Sequence, residues 1–441
     1  MKVSIKIEKI IFYILIFCLS LEVRHIFYSF GEFNEWRSIY LYGTDILILG
    51  LIIFWAMQIL RSRKINFQFG KMELALGAFL AVSGLSLVVA TNLKLGIYSY
   101  LKLWEFSLLF LYLKNNFSKF SIINFWRVFV AGAAVQGLIG IAQFLKQSSL
   151  GLKFLTESPL SPDLAGVAKI TVDGEKIIRA YGLAPHPNIL AAILLVAIFG
   201  LAWLWTARRE GQTAKIIYIF LLLILLAGLF FTFSRAIMIV GFSALFIWLV
   251  LVAIKNKSQR KPAVIFFLLL ATGYLLLTIL YWPLIYNRFS SADIFYGQSL
   301  NLRSYYNQVA MEFIQKSPFW GIGQGNFVNY FSESAKWLQG WLIQPVHNVY
   351  LLIAAETGGL GLLAFLAFLF LTIKSAWSRR NDLFVSCLLF LISCFFIFSL
   401  SDHFLWDLQQ GQILFWVFWG ILASIGAHSS MDRSPASEAG N

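Results

Sequence analysis

The sequence has 441 residues, 59% hydrophobic and 13% charged, with a formal net charge of +14 and a mean hydropathy of +0.76. An ordinary soluble domain carries about 25% charged residues, so a soluble fold is excluded. A nucleic-acid footprint is excluded as well, because Lys and Arg fall in short clusters between apolar runs and form no continuous face. Such spacing sets membrane orientation and attraction to anionic lipid headgroups.

A membrane crossing needs about 20 mostly apolar residues. In chain order the apolar windows predict spans near 9–24, 44–60, 72–91, 95–113, 122–145, 187–207, 215–232, 235–254, 263–284, 347–373, 383–401 and 408–426. The expected fold is therefore all-α, a polytopic membrane protein of about twelve transmembrane helices. It forms one integral membrane domain over 1–427, with a disordered cytoplasmic tail at 428–441. The basic start followed by an apolar run lacks a small-x-small cleavage pattern and is read as a retained first helix. Cys18, Cys387 and Cys394 all lie in apolar segments, as small core residues and not a disulfide framework.

Cytoplasmic loops are enriched in Lys and Arg. With the N-terminus inside, every inside loop is basic: Arg61, Arg63, Lys64 and Lys71, then Lys114 and Lys119, then Arg208, Arg209 and Lys215, then Lys255 to Lys261, then Lys374, Arg379 and Arg380. The other connections are mixed, nearly uncharged, or acidic, as at Asp402 and Asp407. Both termini are thus expected in the cytoplasm. Two outer connections are long, about 146–186 and 285–346, the second lying between spans 9 and 10. Within it, Asn301 to Gln315 reads as an amphipathic helix, with Leu302, Tyr305, Tyr306, Val309 and Phe313 on one side. Its apolar face is expected to lie on the membrane surface. Pro318 ends it, and Gly321, Gly323 and Gly325 are expected to make a flexible turn.

Helices entering from the outer face present free N–H groups and about half a positive charge there. Three begin with polar residues: Pro185-His186-Pro187-Asn188, Ser234-Arg235, and His347-Asn348. A cation in a first helical turn is repelled by the dipole, so Arg235 needs an anionic partner. It either snorkels to lipid phosphates or grips a phosphate or diphosphate bidentately. Arg303 has the same two readings, a solvated face or a phosphate clamp. His186, His347 and His403 all fall near the outer face, but without the short ligand spacing of a zinc site. His347, at a helix start beneath the large loop, is the candidate general base. Lys102 and Glu105 are i,i+3 and can pair with each other. Glu356, nine residues after His347, is expected to support the bundle through a hydrogen bond along a regular helix.

Four stretches together resemble the O-antigen ligase and polymerase superfamily, over about Arg179 to Leu371. They are RAYGLAPHPNILAAIL, FTFSRA, NLRSYYNQVAMEFIQKSPFWGIGQGNF and HNVYLLIAAETGGLGLLAFL. The resemblance implies a membrane glycosyltransferase that passes a glycan from an undecaprenyl diphosphate carrier to lipid A core, a growing glycan chain or a protein hydroxyl. It implies a bacterial plasma-membrane location with the site on the outer face. It implies that Arg235 and Arg303 hold the diphosphate and His347 acts at the acceptor, with Arg179, His186, Asn188 and Asn348 as further donor or glycan contacts. No metal, no cofactor and no nucleotide sugar are expected. The family often carries a small or polar residue where this chain has His186, which leaves that role open. The alternative class is a transporter or flippase of a lipid-linked glycan, which tends to show internal repeats and midplane polar sites in broken helices.

Overall fold

The computed structural model describes residues 2–62, 69–172, 174–207, 210–289, 294–336 and 338–431. The basic residues Arg63, Lys64, Arg208 and Arg209 and the tail beyond Met431 lie outside the described residues. The described helices are α1 (Lys2–Cys18), α2 (Gly43–Ser62), α3 (Lys71–Ser86), α4 (Leu93–Asn116), α5 (Ile122–Lys146), α6 (Pro187–Ala207), α7 (Gln212–Phe231) and α8 (Arg235–Lys255). They continue with α9 (Lys257–Leu280), α10 (Trp282–Phe289), α11 (Ile294–Lys316), α12 (Phe327–Ser334), α13 (Val349–Ala376), α14 (Leu383–Ser399), α15 (Phe404–Asp407) and α16 (Gln409–Met431). Each of the twelve predicted spans is occupied by a long helix. Eight are long and apolar enough to cross a membrane, and α14 is a shorter apolar helix. The all-α expectation needs one amendment: two antiparallel hairpins, β1 (Arg24–Ser29) with β2 (Ser38–Tyr42) and β3 (Lys169–Val172) with β4 (Glu175–Ile178), sit in the connections after α1 and α5.

Local chemistry fixes the helix starts. Pro187 opens α6, where its missing N–H costs nothing. The side chains of Asn92, Ser121, Asn348 and Asp382 each accept a backbone N–H from the first turn of their helices. The centre of the bundle is α6, 94% of whose apolar window is buried.

Charges inside the bundle are paired. Lys102 Nζ lies 2.7 Å from Asp45 and 2.8 Å from Glu105, and Lys114 meets Glu73. The expected Lys102–Glu105 pair is therefore present, with Asp45 as a third member.

Two expectations for the long loop change. The apolar face of α11 does not lie open: Tyr306, Val309, Ala310 and Phe313 are buried in the main core, and α11 packs on α13. Nor is the glycine stretch a loose turn. Gly321, Gly323 and Gly325 have φ of 69°, 104° and 68°, a region that side-chain-bearing residues rarely adopt. A Cβ at Gly321 would stand 2.3 Å from the Glu356 backbone, and one at Gly325 2.3 Å from Ser99.

The turn is seated in a break of α13. Gly358 has φ 71° within that helix, so α13 is not the regular helix expected. The break frees carbonyls that the loop then takes. Ile322 N–H donates to Ala355 O at 2.9 Å, Gly323 N–H to Glu356 O at 3.0 Å, and Gly359 N–H to Pro318 O at 2.7 Å. The Glu356 carboxylate completes the joint by accepting from Gly325 N–H at 2.9 Å and Phe327 N–H at 3.1 Å. Its expected supporting role is thus met, across the loop.

Candidate active site

The site gathers where α6, α8 and α13 begin, the end that the basic loops predict to be non-cytoplasmic. Between α7 and α8 the chain turns through Thr232, Phe233 and Ser234, with Phe233 at φ 47°. This conformation is costly for a bulky residue and persists only where its surroundings hold it. Here the carbonyls of the turn receive two guanidinium groups: Arg179 Nε donates to Thr232 O at 2.5 Å and Arg288 Nε to Phe233 O at 3.3 Å. Arg235, the first residue of α8, donates through Nη1 to Arg288 O at 2.9 Å.

Arg179, Arg235 and Arg288 are thereby collected around one turn. The electrostatic consequence falls on Arg179, which is only 6% exposed. Burial first, and then the fields of Arg288, Arg235 and Arg303, pull its pKa down to about 9. Arg303 arrives on α11 from the long loop, and its buried Nε has no hydrogen-bond partner among the described residues.

Asn188 ties the arginines to the neighbouring histidines. Its Oδ1 accepts from Arg179 Nη2 and from Ser234 Oγ, each at 2.9 Å, and its Nδ2 donates to Asp402 Oδ2 at 2.9 Å. The sequence-expected Asn188 is therefore fully engaged within the protein, as a brace. Asn348 likewise caps α13 through Oδ1, which accepts from Tyr350 and Leu351 N–H. His186 accepts the Asn188 N–H at Nδ1 (3.2 Å). Burial, then the field of Arg179, lowers its pKa to about 3.

His347 is held between two rings. It stacks on Tyr306 of α11, with centroids 5.5 Å apart and planes 7° off parallel, and meets His403 edge-on at 4.8 Å. Burial, then His403, lowers its pKa to about 3, so the ring is neutral at ordinary pH. Its Nδ1 is buried without a partner among the described residues. An unprotonated nitrogen with no donor on it is able to take up a proton.

His403 has the opposite environment. Although burial opposes its charge, Asp407, 2.8 Å from Nδ1, outweighs it and raises the pKa. Asp402 is held ionised: burial acts against the carboxylate, but the fields of His403, His347 and Arg303 prevail.

The structure thus brings Arg179, His186, Asn188, Arg235, Arg303, His347 and Asn348 to one end of the bundle. Sequence reasoning missed Arg288, Tyr306 and the Asp402–His403–Asp407 group. Asp402 and Asp407 stood out as an acidic connection and His403 as a histidine near the same face, but nothing in the sequence joined them to His347. No three His, Cys, Asp or Glu side chains form a metal-holding group among the described residues.

No curated protein matches the chain. Residues 220–366 match the family model described as O-antigen ligase. That segment contains Arg235, Arg288, Arg303 and His347, together with the Gly321–Gly325 turn and the α13 break that seats it. Through this segment, a third of its length, the chain is similar to the O-antigen ligase family.

Proposed function

We propose that this protein transfers a glycan from a polyprenyl (undecaprenyl) diphosphate carrier to an acceptor hydroxyl at the non-cytoplasmic face of the plasma membrane. The observation that carries this reading is the assembly of Arg179, Arg235, Arg288 and Arg303 next to a neutral His347 with an open ring nitrogen. Guanidinium groups collected around one turn favour a dianion that binds among them, and a diphosphate supplies one on a lipid tail.

In the step, His347 takes the proton of the acceptor hydroxyl as its oxygen attacks the anomeric carbon. The bond from that carbon to the diphosphate oxygen breaks, its electron pair leaving with the diphosphate. The arginines, already in place, stabilise the charge that develops there. Attack from the face opposite the leaving group inverts the anomeric configuration. Donor binding also prepares the base: a dianion beside His347 favours the imidazolium and raises the ring's pKa from its low resting value. Lipid A core, a growing glycan and a protein hydroxyl all provide the nucleophile this chemistry needs.

A transporter reading would draw on the broken helix α13. The carbonyls freed by that break are, however, already bonded by the loop at Ile322 and Gly323, which favours the transferase.

The test is transfer of labelled glycan from the lipid-linked donor in proteoliposomes, comparing Arg235→Lys and Arg303→Lys with the parent at matched membrane levels. Lysine keeps the charge but loses the planar fork, and a charge-assisted hydrogen bond is worth about 1.5–3 kcal/mol. The expected loss is roughly 10- to 150-fold in rate. Near-normal transfer by both variants would return the arginines to lipid snorkelling, and glycan translocation without transfer would establish the flippase.

A further inference from the structure

Beside the histidines lies a second feature, which the arginine cluster does not explain. A cavity of about 100 Å³ is bordered by the Glu35–Tyr42 segment, the Gln324 turn and the start of α16. Five of its lining residues carry buried polar atoms with no hydrogen-bond partner among the described residues: Trp36 Nε1, Tyr40 Oη, Gln324 Oε1, Asp407 Oδ2 and Gln409 Oε1. Tyr40, Gln324 and Gln409 are at most 5% exposed. Buried polar atoms are satisfied in the great majority of cases, so five orphans on one cavity call for an occupant.

The chemistry of those atoms narrows the occupant. Gln324 Oε1, Gln409 Oε1 and Asp407 Oδ2 only accept, Trp36 Nε1 only donates, and Tyr40 Oη does either. A fully ionised phosphodiester or diphosphate offers acceptors alone and would be refused by the three oxygens. An apolar group would leave all five unsatisfied. A set of hydroxyls, each donating and accepting, matches the array. The space allows it: one water needs at least about 10–15 Å³, and this cavity has several times that. Trp36 and Trp406 add aromatic faces to the lining.

The cavity also adjoins the proposed base. Trp36 meets the His403 ring edge-on at 5.5 Å, Asp407 lies 2.8 Å from His403 Nδ1, and His403 contacts His347. An occupant therefore sits one side chain away from His347, with the arginine group gathered at the α7–α8 turn.

We propose that this cavity binds one sugar ring of the acceptor, next to the ring whose hydroxyl His347 deprotonates. This inference rests on the glycan-transfer reading and assigns that site its second substrate. Trp36, Tyr40, Gln324, Asp407 and Gln409 then recognise the ring through its hydroxyl pattern.

The test is saturation-transfer NMR on the full chain in lipid nanodiscs, using the methyl glycosides of glucose, galactose and N-acetylglucosamine as probes. At least one should receive saturation from the parent protein. Gln324→Leu and Tyr40→Phe should each weaken its binding about fivefold, the scale of one hydrogen bond, while Lys374→Gln, an exposed change at the far end of α13, leaves it unchanged. Tyr40→Phe removes a single oxygen, so the test stands even if Gln324→Leu fails to fold. Equal saturation in the parent and both cavity variants, or none with any glycoside, would overturn the proposal and leave a cavity for water alone. Displacement of the glycoside by the lipid-linked donor would overturn it too, assigning the cavity to the donor sugar. Glycoside binding by a protein that transfers no glycan would sink the transferase reading and leave the saccharide site standing.

Discussion

Within the bundle, Lys102 is flanked by Asp45 and Glu105, and Lys114 faces Glu73. At the α6, α8 and α13 starts, the field of one arginine falls on another: Arg179 is acted on by Arg288, Arg235 and Arg303. The two regions differ in exposure and in electrostatics: Lys102, Lys114, Asp45 and Glu73 are buried, whereas Arg235, Arg288 and Arg303 are partly exposed. A paired buried charge needs nothing further, and removing one partner is what harms it. Guanidinium groups with a partly open face can also take an anion from outside. Charge balance and exposure together separate scaffold from site in this molecule.

The largest effect expected from this contrast lies at the site. His347→Ala should lower glycan transfer by about 10²- to 10⁴-fold, the range of a general base, while donor binding persists because the base acts on the acceptor. A variant that loses donor binding in proportion to rate would make His347 part of the anion site instead. The next effect lies in the scaffold. Lys114→Met leaves the Glu73 charge buried without its Lys114 partner, which costs about 3–5 kcal/mol and should appear as a loss of folded, membrane-inserted protein. Adding Glu73→Gln removes the charge yet keeps an acceptor for the Gly70 N–H that Glu73 now caps, so the double variant should recover most of the yield. Failure to recover would mean that the pair performs more than mutual neutralisation.

The smallest effect is the response to acid. His186 and His347 both titrate near 3 in the folded protein, below the ordinary histidine value of about 6.5. Between those values the unfolded chain binds more protons than the folded one, so stability rises with pH there. It is fully present above about pH 6.5 and declines as pH falls towards 3, by at most about 1.4 kcal/mol per unit for each histidine. Both rings keep a solvent-facing edge, which screens the effect and reduces it. Thermal unfolding in detergent from pH 7 to 5 should show the decline, and His186→Gln should flatten it. An unchanged slope would assign the acid sensitivity to other groups.

The sequence made the helices legible because they are long apolar runs, with basic clusters in alternate connections. It also exposed Arg235 and His347, since polar residues at the mouths of apolar helices stand out. Arg303 was visible as one cation on an amphipathic stretch. What stayed hidden depends on contacts between distant segments. Arg288 sits in the unremarkable stretch WPLIYNRF and gains meaning only when its Nε reaches the Phe233 carbonyl, 55 positions away. His403 is 56 residues beyond His347, and no periodicity links them. The glycines of the loop read as a flexible turn, and the segment holding Gly358 as a regular helix. They become a fitted joint only when the loop's N–H groups enter the break in α13.

That joint has a mechanical consequence. Pro318 and the glycine turn fasten the C-terminal end of α11 to α13 at the break, and Tyr306, stacked on His347 with centroids 5.5 Å apart, fastens the same helix again at the head of α13. A rod held at two points cannot pivot about either. Arg303 stands three residues from Tyr306, less than one turn of helix, so the double fastening sets its spacing from the base before any substrate arrives.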